Sequence, residues 1–305
     1  MNTRKVIVWG IGLEYEFLLN QLLFEIHKGN ISVEALVCRK QDKYCSYKDT
    51  FPVITKEEIK TDTFDYLIIT SAENFKEIKA EAMELGILEY KIINGKMFIQ
   101  PQFDFSRYVS LIENPVTILS DDCWGGYAYH RLGLPFTSPL INISWDHDQY
   151  SQFIQDPLYY FDMELMMVSD GDLKKGIYPI GKLGGVTLNF IHNKDFAEAK
   201  EQWIRRKARI NPNNLFVKMG FTSNTNEDQK QMYFDSFNAV PHNKILFYYG
   251  DEKVDGIFRT ERFIWKQTDS TRVEFFSYND YCRREYFWDL DLLKLLTGDK
   301  GYSRY

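Results

Sequence analysis

The chain has 305 residues, 44% hydrophobic and 26% charged, a composition that excludes disorder and is long enough for two domains. No uncharged apolar run nears the ~20 residues of a bilayer span, and the charged start Met1-Asn2-Thr3-Arg4-Lys5 leads into only a short apolar run, so neither span nor signal peptide is expected and the expected location is cytoplasmic. With 37 basic against 43 acidic residues, 13 against 16 of them in residues 1–104, no basic half exists to follow a nucleic-acid backbone. Four scattered cysteines without a CxxC pair suggest thiols rather than a disulfide framework or a zinc ribbon.

In chain order, Lys5 to Trp9 is a short, mostly β-branched run. Gly10-Ile11-Gly12 follows, then Glu14 to Lys28 with apolar residues at Leu18, Leu22 and Ile26 and at Tyr15, Leu19 and Leu23: strand, tight turn, helix. Val33 to Cys38, Asp65 to Thr70 and Lys91 to Asn94 read as strands, and Asn74 to Leu85 as a helix stopped at Gly86. The alternation predicts a parallel, doubly wound, Rossmann-like α/β domain over residues 1–100.

A glycine turn at a helix N-terminus is suited to a pyrophosphate, which makes Gly10 and Gly12 candidate cofactor ligands. The match is incomplete. Tyr15 stands where a third glycine is wanted, Glu14 and Glu16 would repel a phosphate, and Val37-Cys38-Arg39-Lys40 lacks the acid that holds a ribose hydroxyl. Arg39 could instead meet a phosphate. No cofactor is specified by these residues. The pattern Gly10-x-Gly12, Phe51-Pro52-Val53-Ile54-Thr55 before Glu57 and Glu58, and Phe64 to Thr70 resembles the small Rossmann-like module that precedes acyl- and glycosyltransferases in bacterial surface-polysaccharide clusters.

Asn94-Gly95-Lys96 and Gln100 to Asp104 interrupt the alternation and place a linker near 98–106, so a second, larger α/β domain is expected over 106–305. Its expected strands are Val116 to Leu119, Leu140 to Trp145, Leu165 to Ser169, Val186 to His192, Leu215 to Met219, Ile245 to Tyr249 and Val273 to Phe276. Its helices are Tyr127 to Leu132 before Gly133, Asp195 to Ile210 with a capping box from Asp195 and Glu198, Glu227 to Asn238, and Asp280 to Leu296. Ser120 to Gly126 with Leu132-Gly133-Leu134-Pro135, then Tyr178 to Gly184, then Ala199-Lys200-x-x-Trp203-x-x-Arg206-Lys207-x-Arg209-Ile210-Asn211 resemble, in order and spacing, the bacterial exopolysaccharide biosynthesis protein family, a domain of unknown function. That resemblance implies a pathway and leaves the reaction open.

Candidate chemistry gathers behind the first strand of this domain, because ligands of open α/β sheets bind beyond strand C-termini. Asp121, Asp122, Cys123 and His192 are the catalytic candidates. Gly125-Gly126 could form an anion nest, Trp124 could stack on a sugar, and Lys182, Arg206 and Arg209 could neutralise a diphosphate. Each has a plain alternative. The two carboxylates beside Cys123 push its thiol pKa upward and count against thiolate catalysis, which favours a small buried residue there; His192 also reads as a core imidazole at a strand end, Lys182 as a solvated loop charge, and the arginines as a solvated helix face. His147 between Asp146 and Asp148 fits a helix start, capped by Asp148, better than a metal site.

The expected activity is that of a transferase acting on a sugar nucleotide or activated glycan. The alternatives are a non-catalytic nucleotide-binding regulatory or scaffolding protein, and a Cys/His hydrolase. Of the 23 Phe, 20 Tyr and 6 Trp, only 13 lie in residues 1–104, so the second domain is expected to use aromatic residues for its core, any homo-oligomer contact, and a few sugar contacts at Trp124, Tyr127 and Trp145.

Overall fold

The computed structural model describes residues 3–38, 50–100, 103–172, 175–222, 226–249, 265–269, 272–275, 290–299 and 301. It is α/β throughout and divides into two compact units, Met1–Ile112 and Glu113–Tyr305.

The first unit holds a five-stranded parallel sheet of β1 (Arg4–Trp9), β2 (Ile31–Val37), β3 (Val53–Ile54), β4 (Tyr66–Ile69) and β5 (Ile92–Asn94), in the order β3-β2-β1-β4-β5. Val6 to Trp9 and Tyr66 to Ile69 are all buried, which is why these strands read as unbroken apolar runs rather than alternating ones. Helix α1 (Leu13–His27) connects β1 to β2, and α2 (Phe75–Glu84) connects β4 to β5. Ile78 and Ala82 of α2 pack on Ile7, Leu67 and Ile69. Gly10 turns the chain out of β1 at φ +103°, where a Cβ would stand 2.5 Å from Thr70 Oγ1, a hydroxyl that itself donates to the Gly10 carbonyl at 2.8 Å.

Helix α3 (Phe105–Glu113) begins within the first unit, although the expected linker precedes it. The reason is aromatic packing: Phe105 meets Tyr66 edge-on at 6.1 Å and Phe98 at 5.8 Å.

The second unit has two sheets. The larger runs β12 (Trp265–Asp269), β13 (Arg272–Phe275), β11 (Asn243–Tyr249), β10 (Leu215–Thr222), β6 (Thr117–Ser120), parallel except for the β12–β13 pair. The smaller is antiparallel: β7 (Met166–Ser169), β8 (Ile180–Leu183) and β9 (Val186–Asn189). Among the described residues six helices accompany them: α4 (Trp124–Leu132), α5 (His147–Phe153), α6 (Pro157–Asp162), α7 (Phe196–Lys207), α8 (Glu227–Ala239) and α9 (Leu292–Leu296).

Three expectations change here. Leu140 to Trp145 is no strand: Asn142 takes φ 66°, which breaks the extended chain, and a single bridge joins Ser144 to Asn189, although Ile141, Ile143 and Trp145 are buried as their alternation requires. A continuous helix over Asp280 to Leu296 does not form, since Asp291 caps α9 by accepting from Lys294 N, and residues 276–289 lie outside those described. At α7, Asp195 caps as expected by accepting from Glu198 N at 2.8 Å, but the Glu198 carboxylate reaches Lys194 N instead of closing the box.

Among the described residues of the second unit, many of the aromatic side chains build the core. Phe153 alone packs against Trp145, Tyr150, Tyr160 and Phe161, with ring centroids 4.8 to 6.2 Å apart.

Candidate functional site

Strand β6 is buried along its whole length and pairs with β10 so that Ser120 lies opposite Lys218. The chain leaves the sheet at Asp121. The Asp121 side chain is buried, and its two oxygens accept from Lys218 Nζ and from Gly220 N, each at 2.7 Å. Half-buried Asp122 accepts from Trp124 N at 2.8 Å and Ser120 Oγ at 3.1 Å, while its other oxygen lies 3.1 Å from Lys218 Nζ. Burial pushes the Asp121 carboxyl above the ordinary carboxylate range; Lys218 opposes that shift and Asp122 adds to it. Tyr150 OH reaches the carbonyls of both Leu119 and Lys218, at 2.8 and 2.9 Å, and so ties the ends of β6 and β10 together.

Lys218 is the member of this site that reading the sequence missed. It is 1% exposed, inside a strand taken as apolar. The available signal was a lysine between Val217 and Met219 in a buried run, because a buried ammonium requires carboxylate partners.

Cys123 stands at the cap position of α4, half-buried, with Sγ 3.5 Å from His192 Nε2. Asp122, by capping Trp124 N, fixes the backbone on which the thiol is carried. The two carboxylates beside the sulfur, which counted against thiolate chemistry on sequence grounds, are both paired with the Lys218 cation. His192 itself is not at a strand end, because β9 stops at Asn189; it lies exposed in a turn closed by Asn193 N to Phe190 O. The structure therefore brings Asp121, Asp122, Cys123 and His192 into one neighbourhood.

Other expected roles are corrected. Trp124 is fully buried between Phe216, stacked at 6.2 Å, and Phe247, edge-on at 5.7 Å, so it offers no face to a sugar. Gly125 and Gly126 belong to α4 rather than to an anion nest: Cβ atoms there would come within 3.2 Å of Ile118 Cγ2 and 3.4 Å of Ile141 Cγ2, so the missing side chains let the helix lie close to its neighbours.

Lys182, expected in a loop, is an exposed residue within β8, and only Gly184-Gly185 form a turn, the hairpin between β8 and β9. Arg206 donates to the Ile141 carbonyl at 2.9 Å, and its half-burial, with Arg205 and Arg209 nearby, lowers its pKa; Arg209 is exposed beyond α7. Asp146, not Asp148, precedes α5, and Asp148 accepts from Tyr233 OH at 2.7 Å. Among the described residues no group of three His, Cys, Asp or Glu side chains is arranged to hold a metal.

In the first unit, Gly10 and Gly12 line a cavity of about 300 Å³ beyond the ends of β1, β2 and β4. Tyr15, at the third-glycine position, is fully buried, and Arg39 lies outside the described residues. No described helix is long and apolar enough to cross a membrane.

A family model described as C2185-like, N-terminal, matches residues 2–93. An uncharacterised protein of Haemophilus influenzae is 26% identical over 186 residues, covering 60% of this chain and 85% of its own length. The model of the family described as domain of unknown function (DUF1919) matches residues 94–297, two thirds of the sequence and all of the site around Cys123, and the chain belongs to that family.

Proposed function

We propose that the second unit is a thiol-dependent acyl-transfer enzyme, with Cys123 as nucleophile and His192 as general base. The observation that carries this reading is the 3.5 Å approach of Cys123 Sγ to His192 Nε2, beyond the C-terminal end of β6 and at the head of α4. His192 takes the thiol proton, and the sulfur attacks an acyl carbonyl. With Trp124 N taken by Asp122, the next N–H groups of the first turn of α4, at Gly125 and Gly126, and the positive end of the helix dipole serve the developing oxyanion. The imidazolium then protonates the leaving group. An acceptor, water or a hydroxyl, gives its proton to His192 and attacks the thioester, which releases Cys123. Asp122 and Lys218 are positioning residues: they hold the turn that presents the thiol.

For the acceptor we propose a glycan hydroxyl, which rests on the resemblance of roughly residues 105–250 to exopolysaccharide biosynthesis proteins and on nothing in the geometry. Direct transfer from a sugar nucleotide has weaker support, since Trp124 and Lys182 are not placed for it.

The test is the rate of Cys123 alkylation by iodoacetamide near neutral pH, followed by peptide mass analysis, together with hydrolysis of p-nitrophenyl acyl esters. Fast alkylation that slows at least about tenfold in His192→Asn, and ester turnover abolished by Cys123→Ser, are expected. A Cys123 that alkylates equally fast in both proteins, or turnover that survives Cys123→Ser, sinks the proposal.

A further inference from the structure

The crevice of the first unit lies where β1 and β4 lead away in opposite directions in the order β3-β2-β1-β4-β5, the switch point at which open α/β sheets take their ligands. Its apolar walls come from Trp9, Ile11, Val37 and Ile78. Its polar side chains are Glu14, Thr70, Ser71 and Asn74, beside the Cys38 thiol; the Thr70 hydroxyl is already given to the Gly10 carbonyl.

Two helices start on this cavity, α1 after Gly12 and α2 after Asn74, and neither cap residue makes a side-chain capping hydrogen bond. Such ends attract an anion. The protein supplies one itself: Glu14 Oε1 accepts from Ala72 N at 3.0 Å, reaching from the first turn of α1 to the loop that enters α2. The carboxylate thus stands where a pyrophosphate would otherwise be received.

Gly12 adds an independent observation. It has φ −84°, open to any residue, and a Cβ added there would meet nothing within 4 Å. Unlike Gly10, it is required neither by the backbone nor by packing; what its missing side chain preserves is open space at the cavity.

We propose that this cavity binds a nucleoside without a phosphate, Glu14 accepting hydrogen bonds from the sugar hydroxyls and turning phosphates away. Carboxylate and amide oxygens accept from a vicinal diol, Asn74 Nδ2 and Ser71 Oγ are already joined at 3.2 Å into one polar edge, and the apolar walls suit the face of a base. A volume of about 300 Å³ is at the small end of ligand sites, the size range of a nucleoside.

The experiment is calorimetric titration of the full chain with adenosine, guanosine, cytidine and uridine, their 5′-monophosphates, and NAD. At least one nucleoside binds, and its monophosphate binds about tenfold or more weakly, as expected for a like charge placed beside Glu14. Glu14→Gln removes that difference by strengthening the monophosphate. Gly12→Phe, verified as folded by circular dichroism, loses the nucleoside. The proposal is overturned by wild-type protein that binds no nucleoside, by a monophosphate or NAD binding at least as tightly as the nucleoside, or by a preference that Glu14→Gln leaves unchanged.

Discussion

Lys218→Met takes away a cation that touches both carboxylates at the end of β6 while keeping a side chain of similar length in the strand. In the native protein Lys218 Nζ lies 2.7 Å from Asp121 and 3.1 Å from Asp122, with lysine and Asp121 almost wholly inaccessible. Removing one partner of a buried pair strands the other charge, at a cost of about 3–5 kcal/mol. Against a typical total of about 5–15 kcal/mol, the variant stands close to unfolding.

The loss should depend on pH, and its sign follows from Asp121. Burial already raises this carboxyl in the presence of Lys218; without the opposing lysine it is raised further. A group whose folded pKa exceeds its unfolded value, about 3.9 for Asp, contributes stability that is complete below that unfolded value and lost as pH rises through the folded one. The deficit of Lys218→Met is therefore small near pH 4 and full at pH 8. Adding Asp121→Asn, which keeps an oxygen for Gly220 N but carries no charge, recovers much of it. Urea unfolding followed by tryptophan fluorescence measures this in the right place, since Trp9 is the only tryptophan of the first unit. A deficit below about 1 kcal/mol at pH 8, or an equal deficit at pH 4 and pH 8, refutes the reasoning.

Asp122→Ala should cost about 0.5–2 kcal/mol through loss of the cap on Trp124 N and should slow Cys123 alkylation, whereas Asp122→Asn keeps an acceptor for Trp124 N, gives up only the charge facing Lys218 and should cost less; thermal melts and alkylation rates separate the two variants. Burial raises the phenols of Tyr108, Tyr129 and Tyr150 well above the usual tyrosine range. Their contribution to stability is intact below about pH 10 and falls beyond it by roughly 1.4 kcal/mol per phenol per pH unit, because the unfolded chain releases protons that the folded one retains. Ultraviolet titration should show these three ionising only as the protein unfolds, and reversible ionisation in the native state would contradict the assignment.

What could be read in advance followed from local rules. The β-branched runs of β1, β2 and β4, the Asp195 cap and the stop at Gly133, which takes φ 62°, are each decided within a few residues. The misplaced parts were decided by contacts from far along the chain. Ile141, Ile143 and Trp145 alternate as a strand does, yet Asn142 turns left-handed and Arg206 of α7 takes the Ile141 carbonyl. Trp124 has the chemistry of a sugar platform, but Phe216 and Phe247 arrive on β10 and β11 and enclose it. The loop carrying Asp121, Asp122 and Cys123 was recognisable from its strand-end position. Lys218 was not, because one charge within an apolar run acquires meaning only when β10 is seen to pair with β6.

The Cys123–His192 contact joins residues 69 positions apart, one from the parallel sheet and one from the turn that leaves the antiparallel hairpin. Contacts of such sequence separation pay their loop-closure entropy late in folding. A nascent or partly folded chain can thus form β8 and β9 as a local hairpin while Cys123, still away from His192, reacts only as an ordinary exposed thiol. On the proposed reading, activation of Cys123 by His192 belongs to the finished second unit, because only there do the two side chains meet.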